Sequence, residues 1–325
     1  MKTEISNKIK NYFASMAIYK DPASTNSLFA GRNLPSFVKD FVLKKYINTT
    51  GQVDRGALTA FLDNVIPQEA ASVKDRLGSG QELTLLTRFI IYIDLVKGIR
   101  RFAIPDLGIK LNEGQIPDYV YNQHVGDLVD GEKWGVIKLC VLPDMDGKKN
   151  HVEMVDYKPF KPYKSVDMSY LREARRAFTT TEWLDVLLSA MEYDPDGFEC
   201  ISQKLEFLTR LLIFVEPRLN VIELAPKGTG KSYVFGNLSK YGWLVSGGKV
   251  TRAKLFYDKQ KQQNGIIKNH DYTAFDEIQT IVFQEPAEIQ AALKSYLESG
   301  KTTIDNTEFS SECGLNGEYP SEQTT

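Results

Sequence analysis

The spacing of hydrophobic residues divides the chain into helical and strand-like regions. Over the first 82 residues apolar side chains recur at helical spacing, most clearly between 36 and 46, where they fill one wide helix face. Two more helices are predicted at about 55–65, capped by Asp54, and at about 68–77, before the glycine-containing stretch 78–80. Residues 1–82 are therefore predicted to form an N-terminal helical region.

From residue 83 the pattern changes to short runs of β-branched and aromatic residues separated by turn residues. The runs lie at about 89–96, 100–104, 119–121, 134–142 and 152–157, with turns expected at Lys97-Gly98, Asp130-Gly131 and 144–149. About five short strands of this kind predict a small OB-like β barrel over residues 83–165.

Two features of this region have alternative interpretations. Barrels of this size often bind single-stranded nucleic acid, here through Lys97, Arg100 and Arg101, but a structural or assembly role is the more common one. Residues 157–164 alternate aromatic, lysine and proline with the period of polyproline II. Such a segment can bind nucleic acid, although a stiff connector between domains is favoured.

Helical spacing returns over residues 166–217 and then gives way to alternating strands and helices. Asp167 and one of the threonines 179–181 are suited to cap helices, and a third helix is predicted at about 200–214. From 218 to 309, strands are predicted near 220–224, 243–245 and 272–275, with helices near 250–262 and 286–299. This alternation predicts a parallel sheet with right-handed crossovers.

The first of these strands leads into a loop whose residues suit phosphate binding. The loop and the start of the next helix read Pro226, Lys227, Gly228, Thr229, Gly230, Lys231, Ser232 and Tyr233. Glycines let backbone N–H groups approach phosphate oxygens, the lysine can reach the β- and γ-phosphates, and the serine hydroxyl can ligate Mg²⁺. A chance glycine turn is the alternative. Ala225 stands where the usual spacing has the first glycine.

A second motif follows at the end of the strand predicted at 272–275. Asp276 can face the metal there, and Glu277 can activate a water near the γ-phosphate, which makes Glu277 and Lys231 the candidate catalytic residues. A lone Asp-Glu pair after a strand is more often a solvated loop. Its position about one helix–strand–helix unit after the glycine loop favours a nucleotide site whose metal ligands are Ser232 and Asp276.

Composition limits the partners and the cellular compartment that the protein can have, without changing this interpretation. The 325 residues are 42% hydrophobic and 25% charged, and the formal net charge is −2, so nothing in the overall charge indicates nucleic acid or an anionic membrane. The three cysteines are scattered and odd in number, which is typical of a protein of the reducing cytoplasm. The three histidines share no metal-ligand spacing. No apolar run approaches the roughly 18 residues needed to span a membrane.

With both motifs in place, residues 204–300 resemble the AAA+ region of the Lon-related BrxL family of BREX phage-defence systems and its shorter relatives. The segments that carry the resemblance are 178–185, 208–211, 220–232, 244–248, 255–257, 274–277 and 295–300. Residues 34–38 resemble the family's N-terminal segment, so the similarity spans most of the chain, more weakly before about residue 165.

The resemblance carries implications that spacing alone does not give. The family is similar to ring-forming AAA+ ATPases, typically hexameric, that bind DNA and in their long members carry a Lon-like protease domain. It therefore implies ATP and Mg²⁺ as cofactors, a homo-oligomer that is a hexameric ring in the complete form, DNA as a candidate partner, no membrane, and a cytoplasmic role in antiphage defence. The alternative is a DNA-binding or assembly module that binds ATP without hydrolysing it.

The end of the chain departs from the family pattern. After Gly314-Leu315, an AAA+ chain should continue with an apolar strand that ends in a γ-phosphate sensor, then an arginine finger and a helical lid, whereas this chain reads on through polar residues 316–325. We therefore expect truncation within the ATPase domain, an aberrant or disordered tail at 310–325, and weak or no ATP hydrolysis by this chain. No Ser–Lys dyad can be assigned, so no protease activity is expected.

Together these patterns predict a multidomain α/β protein with a small β barrel. In chain order it comprises N-terminal helices (1–82), the OB-like barrel (83–165), a helical lead-in (166–217), the parallel sheet of an incomplete AAA+ P-loop NTPase (218–309) and the tail (310–325).

Overall fold

The computed structural model forms two compact units. The first comprises Met1–Ala17, Pro35–Phe37 and Ser165–Thr325, and the second comprises Ile18–Leu34 and Val38–Lys164. The residues that the structure describes are 2–13, 17–18, 26–32, 34–48, 52–66, 70–94, 98–129, 131–143, 149–160, 166–226, 228–259, 263–304 and 307–320.

The N-terminal region is helical, as its apolar spacing predicts. Its helices are α1 (Lys2–Phe13), α2 (Ser36–Tyr46), α3 (Arg55–Val65) and α4 (Ala70–Gly78), with a short 3₁₀ helix at Asn26–Phe29. The predicted cap of α3 is confirmed, since the Asp54 side chain accepts a hydrogen bond from the Ala57 N–H at 3.0 Å. This bond satisfies one of the donors that a helix start leaves unpaired.

Five strands of the second unit close into a barrel, which confirms the predicted small β barrel. They are β1 (Leu83–Asp94), β2 (Ile99–Ile104), β3 (Ile109–Gln115), β4 (Gly131–Pro143) and β5 (Asn150–Pro159). Their order around the barrel is β1-β2-β3-β5-β4. Fully buried side chains such as Phe89, Phe102 and Ile137 fill its interior, and Val73 and Leu77 of α4 pack on the same core.

Three expectations about this unit need correction or fall outside the description. Residues 119–121 form part of a helix, α5 (Asp118–Gln123), because Pro117 stops the preceding strand and its carbonyl accepts the first helical N–H bonds. The fifth strand is instead β3. Residues 157–159 belong to β5, not to a connector. Lys97, Asp130 and residues 144–148 and 161–165 lie outside the described residues.

The helical lead-in consists of α6 (Met168–Arg176), α7 (Thr180–Ala190) and α8 (Ile201–Leu208), followed by a 3₁₀ helix at Thr209–Phe214. Thr179 caps α7 in a reciprocal capping box with Glu182, which confirms one of the predicted caps. Helix α1 packs on this layer, where the Phe13 ring lies 5.9 Å from that of Phe178.

A parallel sheet of four strands forms the centre of the first unit. The elements after the lead-in are β6 (Val221–Ala225), α9 (Lys231–Asn237), β7 (Gly242–Val250), α10 (Arg252–Leu255), β8 (Tyr257–Asp258), β9 (Gln263–Asn264), α11 (Ile266–Asn269), β10 (Tyr272–Phe283), α12 (Pro286–Ser299), β11 (Lys301–Ile304), β12 (Thr307–Ser310) and β13 (Gly314–Pro320). The sheet order is β6-β13-β10-β7, and every neighbouring pair is parallel.

The sheet confirms the predicted parallel architecture and corrects some of its parts. The helix expected over 250–262 is limited to the four residues of α10, and the strand expected at 272–275 extends to residue 283. Helix α12 has the predicted bounds. No helix in the described part of the chain is long and apolar enough to cross a membrane.

The expectation of an aberrant or disordered tail is wrong for residues 310–320. Ser310 ends β12, and β13 lies between β6 and β10, where it pairs with both of them. Leu315 and Cys313 are buried in the core beneath the sheet. Parallel strands in the middle of a sheet are usually apolar throughout because both faces are buried, so the polar residues of β13 concealed it from the sequence pattern.

Candidate nucleotide-binding site

The predicted phosphate loop joins β6 to α9 at the carboxyl edge of the parallel sheet. Gly228 and Gly230 have φ values of +83° and +78°, a conformation that strongly favours glycine. Ala225, by contrast, is extended backbone at the end of β6, paired with position 320. An extended residue tolerates a Cβ, so the alanine does not disturb the loop geometry.

Side-chain donors bind the carbonyl groups of this loop. Lys231 Nζ donates to the carbonyl oxygens of Ala225 and Pro226 at 2.9 and 3.1 Å, and Thr229 Oγ1 also donates to Pro226 O at 3.1 Å. With these acceptors satisfied, the N–H groups of the described loop residues and the Lys231 ammonium are the donors that the loop can turn toward a ligand. Such donors are those that phosphate oxygens require.

Arg210, to which the sequence pattern assigned no role, braces the loop from the 3₁₀ helix at Thr209–Phe214. Its guanidinium donates to both carboxylate oxygens of Glu223 on β6 and, at 2.9 Å, to the carbonyl oxygen of Thr229. The Arg210 side chain is buried and lies over the Phe207 ring at 4.2 Å. A bidentate pair of this kind fixes both position and orientation, so Arg210 connects the strand to the loop.

Two tyrosine hydroxyls form hydrogen bonds near the start of α9, one from Tyr193 outside the helix and one from Tyr233 within it. Tyr193 donates from its hydroxyl to the Gly230 carbonyl at 3.3 Å, and any Cβ at position 230 would lie 1.9 Å from that hydroxyl. The Tyr233 hydroxyl lies 2.7 Å from the hydroxyl of Ser36, which in turn donates to Glu192 at 3.1 Å. Position 230 therefore requires glycine for space as well as for backbone conformation.

The remaining predicted residues lie on or near the same edge. Ser232 is half-buried in the first turn of α9, and Lys227 lies outside the described residues. Asp276 and Glu277 are half-buried on β10, immediately before a register shift between 276 and 281. Because β13 separates β6 from β10, the loop and Asp276 are two strand spacings apart, or roughly 10 Å.

Glu277 has a φ of +46°, in the left-handed region that non-glycine residues rarely occupy. Its carbonyl accepts a hydrogen bond from Thr280 Oγ1 at 2.9 Å, which closes the irregular part of β10. Strained backbone of this kind clusters at functional sites, where surrounding structure maintains it.

Three carboxylates lie side by side across the sheet at this edge. Glu318 on β13 is in register with Glu223 on β6, and on its other side Asp276 follows the pair Phe275–Gly317. Glu223 is neutralised by Arg210, whereas Glu318 is 1% exposed and its carboxyl oxygens accept no hydrogen bond from the described residues.

The environment of Glu318 disfavours its ionised form. The pKa of its carboxyl is raised to about 8, first by burial and then by the negative charges of Asp276 and Glu223 and by a hydrogen bond that the protonated form donates to Asp276, while Lys231 acts to lower it. Asn316, two residues earlier on the same face of β13, is also buried and leaves its side-chain oxygen unpaired in the described structure. Sequence patterns missed both residues, because polar residues 316–318 do not indicate a buried strand.

Magnesium fits this edge as a partner of the nucleotide. No group of three or more His, Cys, Asp or Glu side chains within the described ranges could hold a metal ion by itself. The neighbouring carboxyls of Asp276 and buried Glu318, the latter accepting no hydrogen bond from the described residues, are nevertheless an arrangement that a hard cation would stabilise. Ser232 and Asp276 are the residues that would hold it, with phosphate oxygens supplying further ligands.

The predicted nucleic-acid contacts of the barrel are in part engaged elsewhere. Arg100 forms an ion pair with Asp118, and its guanidinium lies 4.0 Å from the centre of the Tyr121 ring. Arg101 is half-buried on β2, and Lys97 is not among the described residues. An arginine that is already paired offers less charge to a phosphate backbone.

Comparisons with known proteins agree with this architecture. A family model described as "Lon-like protease BrxL-like, ATPase domain" matches residues 152–317, and one described as "BREX system Lon protease-like protein BrxL N-terminal" matches residues 11–140. The Lon-like protease BrxL of Escherichia coli O9:H4 (strain HS) is 30% identical over 298 residues, which cover 90% of this chain and 42% of that relative. The Lon-like protease BrxL of Bacillus cereus (strain H3081.97) is 28% identical over 303 residues, covering 91% and 44%. The chain thus spans less than half the length of these curated relatives.

Proposed function

Because the chain belongs to the Lon-like protease BrxL-like family and carries its ATPase domain, we propose that the loop at 226–233 together with Asp276 and Glu277 binds and hydrolyses Mg²⁺–ATP. The observation that carries this proposal is the meeting of the loop, its lysine and Asp276 at one carboxyl edge of a parallel sheet. Ligands of open α/β sheets bind at this edge.

Each residue has a distinct role in the proposed site. The N–H groups of Gly228, Thr229 and Gly230 bind phosphate oxygens, and Lys231 exchanges its two loop carbonyls for the β- and γ-phosphates. Ser232 and Asp276 hold the magnesium ion, which neutralises charge on the phosphates when bound. Pro226 and Tyr233 border the nucleotide, as does Lys227.

Glu277 is the proposed base that orients and deprotonates the attacking water. A carboxylate in this role must reach the water without being held by a metal ligand bond, and the left-handed backbone at Glu277 turns the chain directly after Asp276. Hydrolysis further needs positive charge on the transferring phosphoryl group, which ring ATPases take from a neighbouring protomer. We therefore expect slow turnover from the isolated chain, and efficient turnover only from a complete ring.

Nucleotide binding by this chain is the first test. Titration with a fluorescent ATP analogue and excess Mg²⁺ should give saturable binding, and Lys231→Met should weaken it at least about 30-fold, because a charged phosphate partner is lost. The exposed Lys294 on α12 provides the matched control, Lys294→Met, which should leave the affinity unchanged. Equal affinity of the wild-type chain and Lys231→Met would refute the proposed site.

The wider role follows from the family. The family description names a BREX system protein. From the resemblance to that family, we infer that the complete protein serves antiphage defence as an oligomeric ATPase that associates with DNA. The alternative, a DNA-binding or assembly module without catalysis, has less support, because Arg100 of the barrel is already paired with Asp118. A gel-shift assay over a range of salt concentrations tests the DNA association, since phosphate contacts weaken steeply with salt.

A further inference from the structure

Ser36, the first residue of α2, is a buried polar residue to which the proposed roles assign no function. It is 3% exposed and lies in the short segment Pro35–Phe37, which belongs to the first unit although the rest of α2 belongs to the second. The N-terminal family model matches this residue, and the match to the ATPase domain begins only at residue 152. A residue from outside the matched ATPase domain is therefore buried in the unit that contains the phosphate loop.

Hydrogen bonds connect Ser36 to the helix that follows this loop. The Ser36 hydroxyl donates to Glu192 Oε2 at 3.1 Å, and its oxygen lies 2.7 Å from the Tyr233 hydroxyl. A serine hydroxyl carries one hydrogen, so with that hydrogen given to Glu192 the Ser36 oxygen accepts the hydrogen of Tyr233. The hydrogen bonds thus run in one direction, from Tyr233 through Ser36 to Glu192.

Tyr233 lies in the first turn of α9, directly after two residues of the proposed site. Lys231 and Ser232 precede it in the same turn, and they are the residues proposed to bind the phosphates and the magnesium ion. Side chains of a binding site have to be held within about 0.5 Å of their productive positions by packing and by supporting hydrogen bonds. A bond that fixes Tyr233 therefore also limits how far this turn can shift.

The acceptor of the series, Glu192, lies in a strained turn that contacts the loop a second time. Its φ is +68°, in the left-handed region, just after the end of α7. The next residue, Tyr193, donates to the Gly230 carbonyl at 3.3 Å, and its ring lies edge to face with that of Tyr233 at 6.3 Å. The turn at 192–193 thus holds the start of α9 both directly at Gly230 and through Ser36 at Tyr233.

We propose that Ser36 is a positioning residue of the nucleotide site, which fixes the first turn of α9 through Tyr233. By this contact the N-terminal segment completes phosphate binding by the ATPase domain. The role is one of positioning, because the Ser36 hydroxyl is already used by Tyr233 and Glu192. This inference rests on the proposed function, since it concerns the same bound nucleotide.

A double-mutant cycle in the full chain tests the series of hydrogen bonds. Ser36→Ala and Tyr233→Phe each remove one hydroxyl, and the affinity of a fluorescent ATP analogue is measured with excess Mg²⁺. We expect each single variant to bind about three- to tenfold more weakly than the wild type, as the net value of one hydrogen bond predicts. The double variant should be within about twofold of the weaker single variant, because both changes break the same connection.

A conservative variant and two exposed positions supply the controls. Ser36→Thr keeps the hydroxyl and should bind within about twofold of the wild type. Ser202→Ala on α8 and Tyr241→Phe remove the same groups at exposed positions and should leave the affinity unchanged. Thermal unfolding without nucleotide shows whether each variant is folded, and a purely structural bond would lower the Tm of Ser36→Ala without changing its affinity.

The outcomes separate this inference from the proposed function. The role of Ser36 is overturned, with the nucleotide site intact, if folded Ser36→Ala binds as tightly as the wild type or if Ser36→Thr binds as weakly as Ser36→Ala. Losses that multiply in the double variant also overturn it, since they indicate independent contacts. If Ser36→Ala does not fold, Tyr233→Phe carries the test, and its unchanged affinity overturns the role. A wild-type chain that binds no nucleotide overturns the proposed function itself.

Discussion

Glu277 occupies a backbone conformation, φ +46°, that costs a non-glycine residue about 1–2 kcal/mol. We predict that Glu277→Gly is more stable to unfolding than Glu277→Ala by about 1 kcal/mol, because only glycine adopts this conformation without a Cβ penalty. Both changes remove the carboxylate, so the comparison isolates the backbone. Urea unfolding of the two variants measures the difference.

The same pair of variants tests whether the strained backbone at Glu277 is retained because its carboxylate is needed for hydrolysis. If Glu277 is kept for hydrolysis, both variants should retain Mg²⁺–ATP binding and lose turnover in a complete ring, even though one of them is the more stable. A Glu277→Ala variant as stable as Glu277→Gly would show that the backbone at this position is unstrained.

Glu132 in the barrel gives a prediction for pH. The pKa of its carboxyl is raised from 4.5 to about 7, chiefly by burial; Arg88, 3.8 Å away, acts to lower it and Asp106 to raise it. The folded state thus holds a proton that the unfolded state releases between pH 4.5 and 7. Glu132 therefore reduces the free energy of unfolding as pH rises through this window, by about 3 kcal/mol in total, and the loss is complete above pH 7.

Glu132→Gln should remove this loss, since glutamine stays neutral. We predict that the variant and the wild type have similar unfolding free energies at pH 4.5, and that the variant is more stable by about 2 kcal/mol at pH 8, after the lost attraction to Arg88 is allowed for. Urea unfolding monitored at both pH values measures this. A variant that gains no stability between pH 4.5 and pH 8 would contradict the prediction.

Residues such as Glu318 and Arg210 mark the limit of what the sequence predicts at this scale. The loop glycines, Lys231 and Asp276 follow from local spacing, because their chemistry depends on neighbours in the chain. Arg210 acts on Glu223 and Thr229 through contacts between separate elements. Pairing of that kind depends on tertiary structure, so no local pattern indicates it.

At the scale of elements, β13 determines whether the nucleotide sheet exists. Leu315 on this strand is 5% exposed and packs into the core below the sheet. We predict that Leu315→Ala lowers the free energy of unfolding by about 2–4 kcal/mol, the usual cost of a cavity at a buried leucine. Leu297 on α12 is 46% exposed, and Leu297→Ala should change it by less than about 0.5 kcal/mol.

Chemical denaturation of the two leucine variants decides between a central strand and a tail. Equal and negligible effects would mean that residues 314–320 do not pack as β13. The two substitutions remove the same atoms, one from a buried strand position and one from an exposed helix position, where the intrinsic propensity change is only a few tenths of a kcal/mol.

Elements with a strong local pattern were predicted well, and those defined by tertiary context were not. Helices α2 to α4 follow from apolar spacing and the Asp54 cap, and α12 follows from Pro286 at its first turn and Gly300 at its end. The segment 119–121 is β-prone by composition, yet Pro117 and the burial of Val120 make it helical. Strand β13 has two glycines and two polar residues, and only its position between two parallel strands makes it extended.

At the scale of the whole molecule, the two compact units correspond to two kinds of sequence signal. The barrel unit follows from a series of short apolar runs between turn residues, which is enough to predict a closed β structure. The nucleotide unit follows from two motifs and from alternating strands and helices. The family match over residues 152–317 extends from the last barrel strand to the middle of β13, which agrees with β13 being an integral part of the ATPase sheet.

The place of β13 has a consequence for how the protein is made. Strand β6 leaves the ribosome about 90 residues before its neighbour β13, and at a synthesis rate of about 5–20 residues per second that interval lasts roughly 5–20 s. Until β13 is made, β6 and β10 have no strand between them, and apolar side chains that share a core with Leu315, such as Phe275 of β10, remain uncovered. The nascent chain therefore carries an unfinished sheet, and we expect the proposed ATP binding to begin only after the final strand has been inserted.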